Sequence, residues 1–401
     1  MKKEFDMDKS NILKQGENLI KLICGVINNQ KITTNDLIDP DYETIYKLAS
    51  FHSVINILYY ALDQLDVSIE IKKMLQKNHL LEISKAATRD AEVDNINTFF
   101  NNMQIRHMFL KGSVIKQDYP TSDMRSMADV DILIDNTQMD DVRTSMFTMG
   151  YTCKSYAESN HDIYYKEPYM NIEAHRSMVS DAYALHKYYQ DVWSKLILKK
   201  NYEYEMNNND YYIFMIIHAA KHFSNGGMGI RNIMDEYLYF NAHSNNLDFK
   251  YINQELDKLN LVKFRENMHT LALYWFDDLK LDDSNCELIK NIANFIISSG
   301  TYGTINHHYL NNFGGKEMNK TFSKSKLGYF LANVFMPYKK MKIKYKILKK
   351  IPVLLPLFWI IRIFQVVFCR NKEMKKRIKI IKKMNKKEAN EIQKIHEDMG
   401  A

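Results

Sequence analysis

Residues 129–134 read Asp129-Val130-Asp131-Ile132-Leu133-Ile134, two carboxylates around a β-branched residue followed by an apolar run. That alternation predicts a strand. In a strand residues i and i+2 share a face, so Asp129 and Asp131 project together while Val130 and Ile132 enter the opposite, apolar layer. Met170-Asn171-Ile172-Glu173-Ala174-His175 alternates in the same way and puts Glu173 and His175 on one face. Carboxylates aimed the same way repel unless a cation sits between them. If the two strands are neighbours, Asp129, Asp131 and Glu173 converge. Such a set suits a hard divalent ion, magnesium with manganese as the alternative, whose other ligands are waters and substrate phosphates.

Upstream, Phe109-Leu110-Lys111-Gly112-Ser113 is an apolar run halted at a glycine, where a strand would hand over to a helix. A glycine lets backbone approach a phosphate, and a helix N-terminus offers free N–H donors. Ser113 adds a hydroxyl, and Lys111 and Arg125 add positive charge. Val114–Tyr119 reads as helical and Pro120-Thr121-Ser122-Asp123 as a turn. Downstream, 138–149 reads as a short helix ended by Gly150, with strands around Tyr151–Tyr156 and Ile163–Tyr165. The mixture predicts an α+β unit at 99–190, a small mixed sheet with helices.

Helical patterns flank this unit. In the N-terminal region, 1–98, Leu13, Ile20, Ile23, Val26 and Ile27 recur at helical spacing, and Asp41 to Lys111 holds no Gly or Pro. From about Tyr183 to Tyr309 the chain reads as helical again, which places a C-terminal helical domain at 191–320. Its clearest helix is Tyr211–Phe223, then a break at Gly226-Gly227-Met228-Gly229 and a helix from Ile230 to Phe240. His218 and His222 share a helical face at a spacing that can bind zinc, but Ala219 stands where a zinc protease carries glutamate. Two histidines inside an aromatic-rich helix are more often core or hydrogen-bonding groups than zinc ligands. With Lys221 and Arg231 they read as a wall facing nucleotide phosphates or an acceptor; alternatively Arg231 and Asp235 form an i,i+4 ion pair. His161 and His175 are candidates to orient phosphates or a metal-bound water, His175 first because it shares a face with Glu173.

Hydrophobic residues at 46% and charged residues at 26% mark a folded globular chain rather than a disordered one. The net charge of +7 sits in the tail, 321–401: between Lys339 and Lys387 the only acid is Glu373. Within it Ile351–Cys369 is nearly all apolar, but Pro352, Pro356, Arg362 and Gln365 interrupt it. A central arginine costs about 2.5–3.5 kcal/mol on insertion, which argues against a membrane span. Lysine-rich arms at Tyr338–Lys350 and Arg370–Lys387 suit an anionic membrane surface or RNA phosphates; the alternative is a buried hairpin and a solvated basic helix. Cys24, Cys153, Cys286 and Cys369 form no CxxC pair, and no apolar segment follows Lys2 and Lys3. Both features lead to the expectation of a cytoplasmic protein, peripheral to the inner face of the membrane if the tail docks there.

Gly-Ser, a short interval, Asp-x-Asp on a strand and a third carboxylate on a later strand resemble the nucleotidyltransferase superfamily that includes DNA polymerase beta. More closely, Phe109–Gly112, Tyr119-Pro120, Met124–Ile134, Ile172–His175 and His218–Asp235 resemble a bacterial family of uncharacterised nucleotidyltransferases, as do Leu355–Trp359 and Arg362. The interval from Ser113 to Asp129 is longer than is usual in the superfamily, with room for a loop at Pro120–Asp123. The resemblance implies a nucleotidyltransferase fold and transfer of an NMP from an NTP such as ATP to an acceptor. It implies Asp129, Asp131 and Glu173 as catalytic metal ligands. Lys111, Gly112, Ser113, Arg125, His175, Lys221 and Arg231 are the expected nucleotide-binding residues. The acceptor is open among small molecule, glycan, RNA and protein. The rival reading is a non-catalytic nucleotide-binding or scaffold protein that docks on membrane or RNA through its tail.

Overall fold

A computed structural model describes residues 8–63, 65–179, 184–300, 335, 336, 338, 341, 342, 345, 347–368 and 386–401. The chain opens on helices α1 (Lys9–Ile27), α2 (Tyr42–Phe51), α3 (Ile55–Leu62) and α4 (Ile69–Asn102). Asp41 caps α2 by accepting from the Glu43 and Thr44 backbone N–H groups, and Ser68 caps α4 through Ile71. Free of Gly and Pro, α4 runs 34 residues without a break.

The mixed part follows: β1 (His107–Phe109), α5 (Gly112–Ile115), β2 (Val130–Ile134), α6 (Met139–Thr148), β3 (Thr152–Ser155), β4 (His161–Lys166), β5 (Met170–His175), β6 (Ile197–Lys200) and β7 (Glu203–Glu205). The strands form one seven-stranded mixed sheet in the order β3-β4-β5-β2-β1-β7-β6. β2 lies at its centre, antiparallel to β1 and parallel to β5, and all five of its residues are buried. Both faces are covered. Val130, Ile132 and Ile134 pack with Ile172 and Ala174 of β5, Val142 and Met146 of α6, and Ile96 and Phe100 of α4, while Leu133 joins a larger core on the other side. The β2–β5 register sets Asp131 beside Glu173 and Leu133 beside His175.

The reading of the chain from about Tyr183 as helical is corrected over 197–205. β6 and β7 form a hairpin there, turning at Asn201 with φ +53°, and β7 adds parallel to β1 through His107 and Glu203. Its strands carry Lys199, Lys200, Glu203 and Glu205, so neither shows the apolar alternation of a half-buried strand.

Helices α7 (Asn208–Ser224), α8 (Ile230–His243), α9 (Phe249–Asp257), α10 (Val262–Phe276) and α11 (Asp283–Ser299) complete the main body. Gly226 and Gly227, at φ +133° and +115°, reverse the chain between α7 and α8 where L side chains would be strained. Helices that precede and follow the sheet in the chain share one apolar core, on the Leu133 face. Leu19, Ile45 and Ile57 belong to the same cluster as Ile216, Phe264 and Ile296, joined by Ile392 and Met399 of the C-terminal helix Lys386–Met399. The apolar tail stretch forms a 3-10 turn at Pro352–Leu354 and a helix at Leu355–Phe368. Among the described residues no helix is long and apolar enough to cross a membrane. Cys369 and nearly all of the second lysine-rich arm lie outside the described residues.

His396 is buried against Phe223 and Phe295, and its Nε2 has no hydrogen-bond partner. Burial pushes its pKa from the ordinary 6.5 down to about 4. Between those values the unfolded chain binds more protons than the folded one, so stability is lost as pH falls through the window. The variant His396→Leu should escape about 2–3 kcal/mol of that loss by pH 4.5, measured by urea denaturation at pH 7 and pH 4.5. Equal losses in both proteins would contradict this account.

Candidate active site

Parallel pairing makes Asp131 and Glu173 side-by-side neighbours on the face opposite Val130 and Ile132. Asp129, one step before β2, is coupled to them through charge. Burial and the carboxylates of Asp131 and Glu173 push its pKa up, while Lys111 and Arg231 pull it back. Asp131 is only 4% exposed and keeps its charge because two donors reach the same oxygen. Lys111 Nζ lies 2.6 Å and His175 Nε2 2.7 Å from Asp131 Oδ1. Burial alone would raise the Asp131 pKa; the hydrogen bond from His175 and the Lys111 ammonium outweigh it and hold the carboxyl at about 2. Burial likewise disfavours charge on His175, but Asp131 and Glu173 prevail and raise its pKa. Glu173 Oε2 lies 3.5 Å from His175 Nε2 and 3.7 Å from His161 Nε2, and His161 stands opposite His175 in the β4–β5 register.

Lys111 adopts φ +51° and ψ −121°, a region that favours glycine, at a strain of order 1–3 kcal/mol. The surroundings enforce it: Tyr211 donates its hydroxyl to the Lys111 carbonyl at 2.9 Å while the ammonium is anchored on Asp131. Gly112 packs closely under Met127, since a Cβ there would lie 2.4 Å from Met127 Sδ and push that side chain aside. Ser113 is buried, and its hydroxyl has no hydrogen-bond partner.

Arg125 is engaged within the protein. Its Nε and Nη2 donate to both Asp235 oxygens at 2.7 and 2.8 Å, and Tyr119 donates its hydroxyl to Asp235 Oδ1 at 2.5 Å. The partner of Asp235 is therefore Arg125 on the loop before β2, whereas the i,i+4 rule had pointed to Arg231. Arg231 Nη1 and Arg125 Nη1 both donate to the Ser126 carbonyl, at 3.1 and 3.0 Å. At the other end of the same loop Asp123 accepts from Asn56 and Tyr60. The segment that delivers Asp129 is thus tied to α3 and α8.

These residues open onto a pocket between the sheet and the helical wall. Lys111, Gly112, Arg125, Asp129 and Asp131 line it from one side, Tyr211, His218 and His222 of α7 and Arg231 and Asn232 of α8 from the other. Ser113, Glu173, His175 and Lys221 stand outside that lining. Burial and Lys111 depress the pKa of Lys221, and Asp131 and Glu173 oppose them, so it lies within electrostatic reach of the carboxylates. The His218 and His222 Nε2 atoms are 3.1 Å apart. Burial pushes both rings down, His222 to about 4, so near neutrality one neutral imidazole donates to the other. Among the described residues the one group of three or more side chains with metal-ligating spacing is His161, Glu173 and His175.

Burial and the charges of Asp131 and Glu173 disfavour ionisation of Asp129. The three carboxylates do not stand at metal-ligating spacing as His161, Glu173 and His175 do, so side-chain rotation would be needed for them to share a divalent cation. Strand faces revealed these carboxylates in the sequence. The pairing of His161 with Glu173, the Arg125–Asp235 pair, and Tyr211 and Asn232 in the pocket left no local sequence signal.

Residues 39–277, more than half of the chain, match the family described as Uncharacterised nucleotidyltransferase, and the chain belongs to that family. No curated protein and no solved structure matches it. The matched span includes every candidate site residue and ends before the tail.

Breaking one half of the buried Arg125–Asp235 pair leaves an uncompensated charge. Asp235→Ala should lower stability by about 3–5 kcal/mol, measured by denaturant unfolding. Arg125→Lys should recover little, because an ammonium cannot form the bidentate pair. A loss confined to nucleotide affinity, with stability unchanged, would show instead that Arg125 serves the ligand.

Proposed function

We propose, with membership of a nucleotidyltransferase family as the premise, that this protein transfers an NMP from an NTP to an acceptor by a two-metal, magnesium-dependent mechanism. The observation that carries this reading is the register that seats Asp131 beside Glu173, with Asp129 coupled to both. Bound magnesium, or manganese in its place, would lower the pKa of the attacking oxygen and neutralise charge on the leaving pyrophosphate. Asp129 and Asp131 would hold both ions. Glu173 completes the set as a ligand or takes the acceptor proton, as the acceptor oxygen bonds the α-phosphorus and the bond to pyrophosphate breaks.

Lys111 holds its ammonium against Asp131 in the resting protein and is placed to move to the triphosphate when the carboxylates engage metal. The Gly112–Ser113 turn offers the Gly112 backbone N–H and a hydroxyl whose own partner is missing, the Ser113 N–H being taken by the Leu110 carbonyl. Lys221 and Arg231 supply positive potential from the helical wall, and Arg125 acts by fixing the loop that presents Asp129. We assign this chemistry to the unit drawn at 99–190 and extended by the β6–β7 hairpin to 205, with the N-terminal region 1–98, the region 206–320 and a tail at 321–401 as its flanks. The wider family is taken to be the bacterial branch of the DNA polymerase beta-like superfamily, and the location to be the cytoplasm.

A second reading concerns the tail. Val353, Leu357, Ile360 and Phe364 are exposed, Val353 at 86%, beside the lysine-rich arm that begins at Lys339. Exposed apolar side chains next to clustered lysines suit peripheral docking on an anionic membrane surface. In its strongest form this reading makes the protein a scaffold without turnover. Sedimentation with anionic vesicles at low salt, and release at high salt, is the expected behaviour; no sedimentation at low salt would remove this reading.

Incubation with each α-labelled NTP, magnesium and fractionated cell extract should label an acceptor. Asp131→Asn should reduce transfer to background while circular dichroism remains that of the wild type. Transfer at wild-type rate by a folded Asp131→Asn protein would refute the assignment.

A further inference from the structure

We propose that His161, Glu173 and His175 form a nitrogen-containing site for a transition-metal dication, so that the ion shared through Glu173 is selected by imidazole as well as by carboxylate. The proposal deepens the reading above, resting on it only in that Glu173 serves both ion sites. Ligand atoms of the three side chains all lie within 4.8 Å of one another. The backbone dictates this cluster: His161 and His175 are direct partners in the β4–β5 register, and Glu173 shares the face of His175 two residues away.

The spacing separates coordination from hydrogen bonding. Glu173 Oε2 stands 3.5 Å from one imidazole nitrogen and 3.7 Å from the other, at or beyond the limit of a hydrogen bond. Two donors bound at about 2.1 Å to one tetrahedral ion lie about 3.4 Å apart, so small rotations of these side chains would close a site. His175 Nε2, hydrogen-bonded to Asp131 Oδ1 at 2.7 Å, would give up that bond to the ion, and water would complete the coordination. Two imidazoles favour manganese, cobalt or zinc over magnesium, which prefers oxygen ligands alone.

The test is cobalt titration of the full-length protein without nucleotide, followed by visible absorption. Wild type should show ligand-field bands that saturate at one equivalent. His161→Gln should weaken that binding by at least about tenfold, and Asp129→Asn should retain it. Because a variant can misfold, electron spin-echo spectroscopy of the manganese-loaded wild type provides a second readout, with nitrogen hyperfine coupling expected. Absence of nitrogen coupling overturns the proposal. So does cobalt binding that survives His161→Gln but is lost in Asp129→Asn, an outcome that leaves the nucleotidyl-transfer reading standing. Nitrogen coupling in a protein that labels no acceptor would uphold this site and count against that reading instead.

Discussion

Asp131 is a carboxylate almost wholly removed from water at the centre of the sheet, and it can stay ionised there only if cations or donors reach it. Much of the surrounding structure serves that need. β5 brings His175 beside it through a parallel register, and the turn after β1 brings Lys111 onto it in a backbone conformation that lysine seldom adopts. Both donors converge on one oxygen. Any ion proposed to bind Asp131 would therefore have to compete with both the ammonium and the imidazole for that oxygen.

The second constraint is the position of Asp129, which no strand pairing fixes. The loop before it is instead clamped from two directions, by Asn56 and Tyr60 at Asp123 and by the Arg125–Asp235 pair at the α8 end. Both clamps stand on helices that belong to one shared core, so α3 and α8 cannot drift apart without opening it. Packing far from the carboxylates thereby controls their separation. The neutral His218–His222 pair fits the same economy of charge, lining the pocket without adding to the repulsion among Lys111, Lys221 and Arg231.

What could be read from the sequence follows the range of the forces involved. Side-chain alternation is local, so the shared face of Glu173 and His175 and the strand nature of 130–134 and 170–175 were legible. Helices were legible where an apolar stripe or a long run without Gly and Pro marked them, as in α4 and α7. Register is not local: nothing in residues 129–175 states that Asp131 lies opposite Glu173, or that His161 meets His175. The Arg125–Asp235 pair defeated the local rule outright, because Arg231 is one helical turn from Asp235 and Arg125 is 110 residues away. Gly112 was legible as a glycine next to the pocket, whereas the close approach of the Met127 side chain to it was not. The β6–β7 hairpin escaped because β6 is exposed and β7 is three residues with glutamate at both ends, so neither shows an apolar alternation.

The central claim is that the place where Lys111 and His175 now compensate Asp131 is a seat for metal-bound triphosphate. Diffraction from crystals grown with manganese and a non-hydrolysable NTP analogue, recorded for manganese anomalous scattering, tests it most directly. The account predicts an anomalous peak among Asp129, Asp131 and Glu173, with the Lys111 ammonium moved from Asp131 to the phosphates. Nucleotide bound elsewhere, with Lys111 still on Asp131 and no manganese at the three carboxylates, would contradict it.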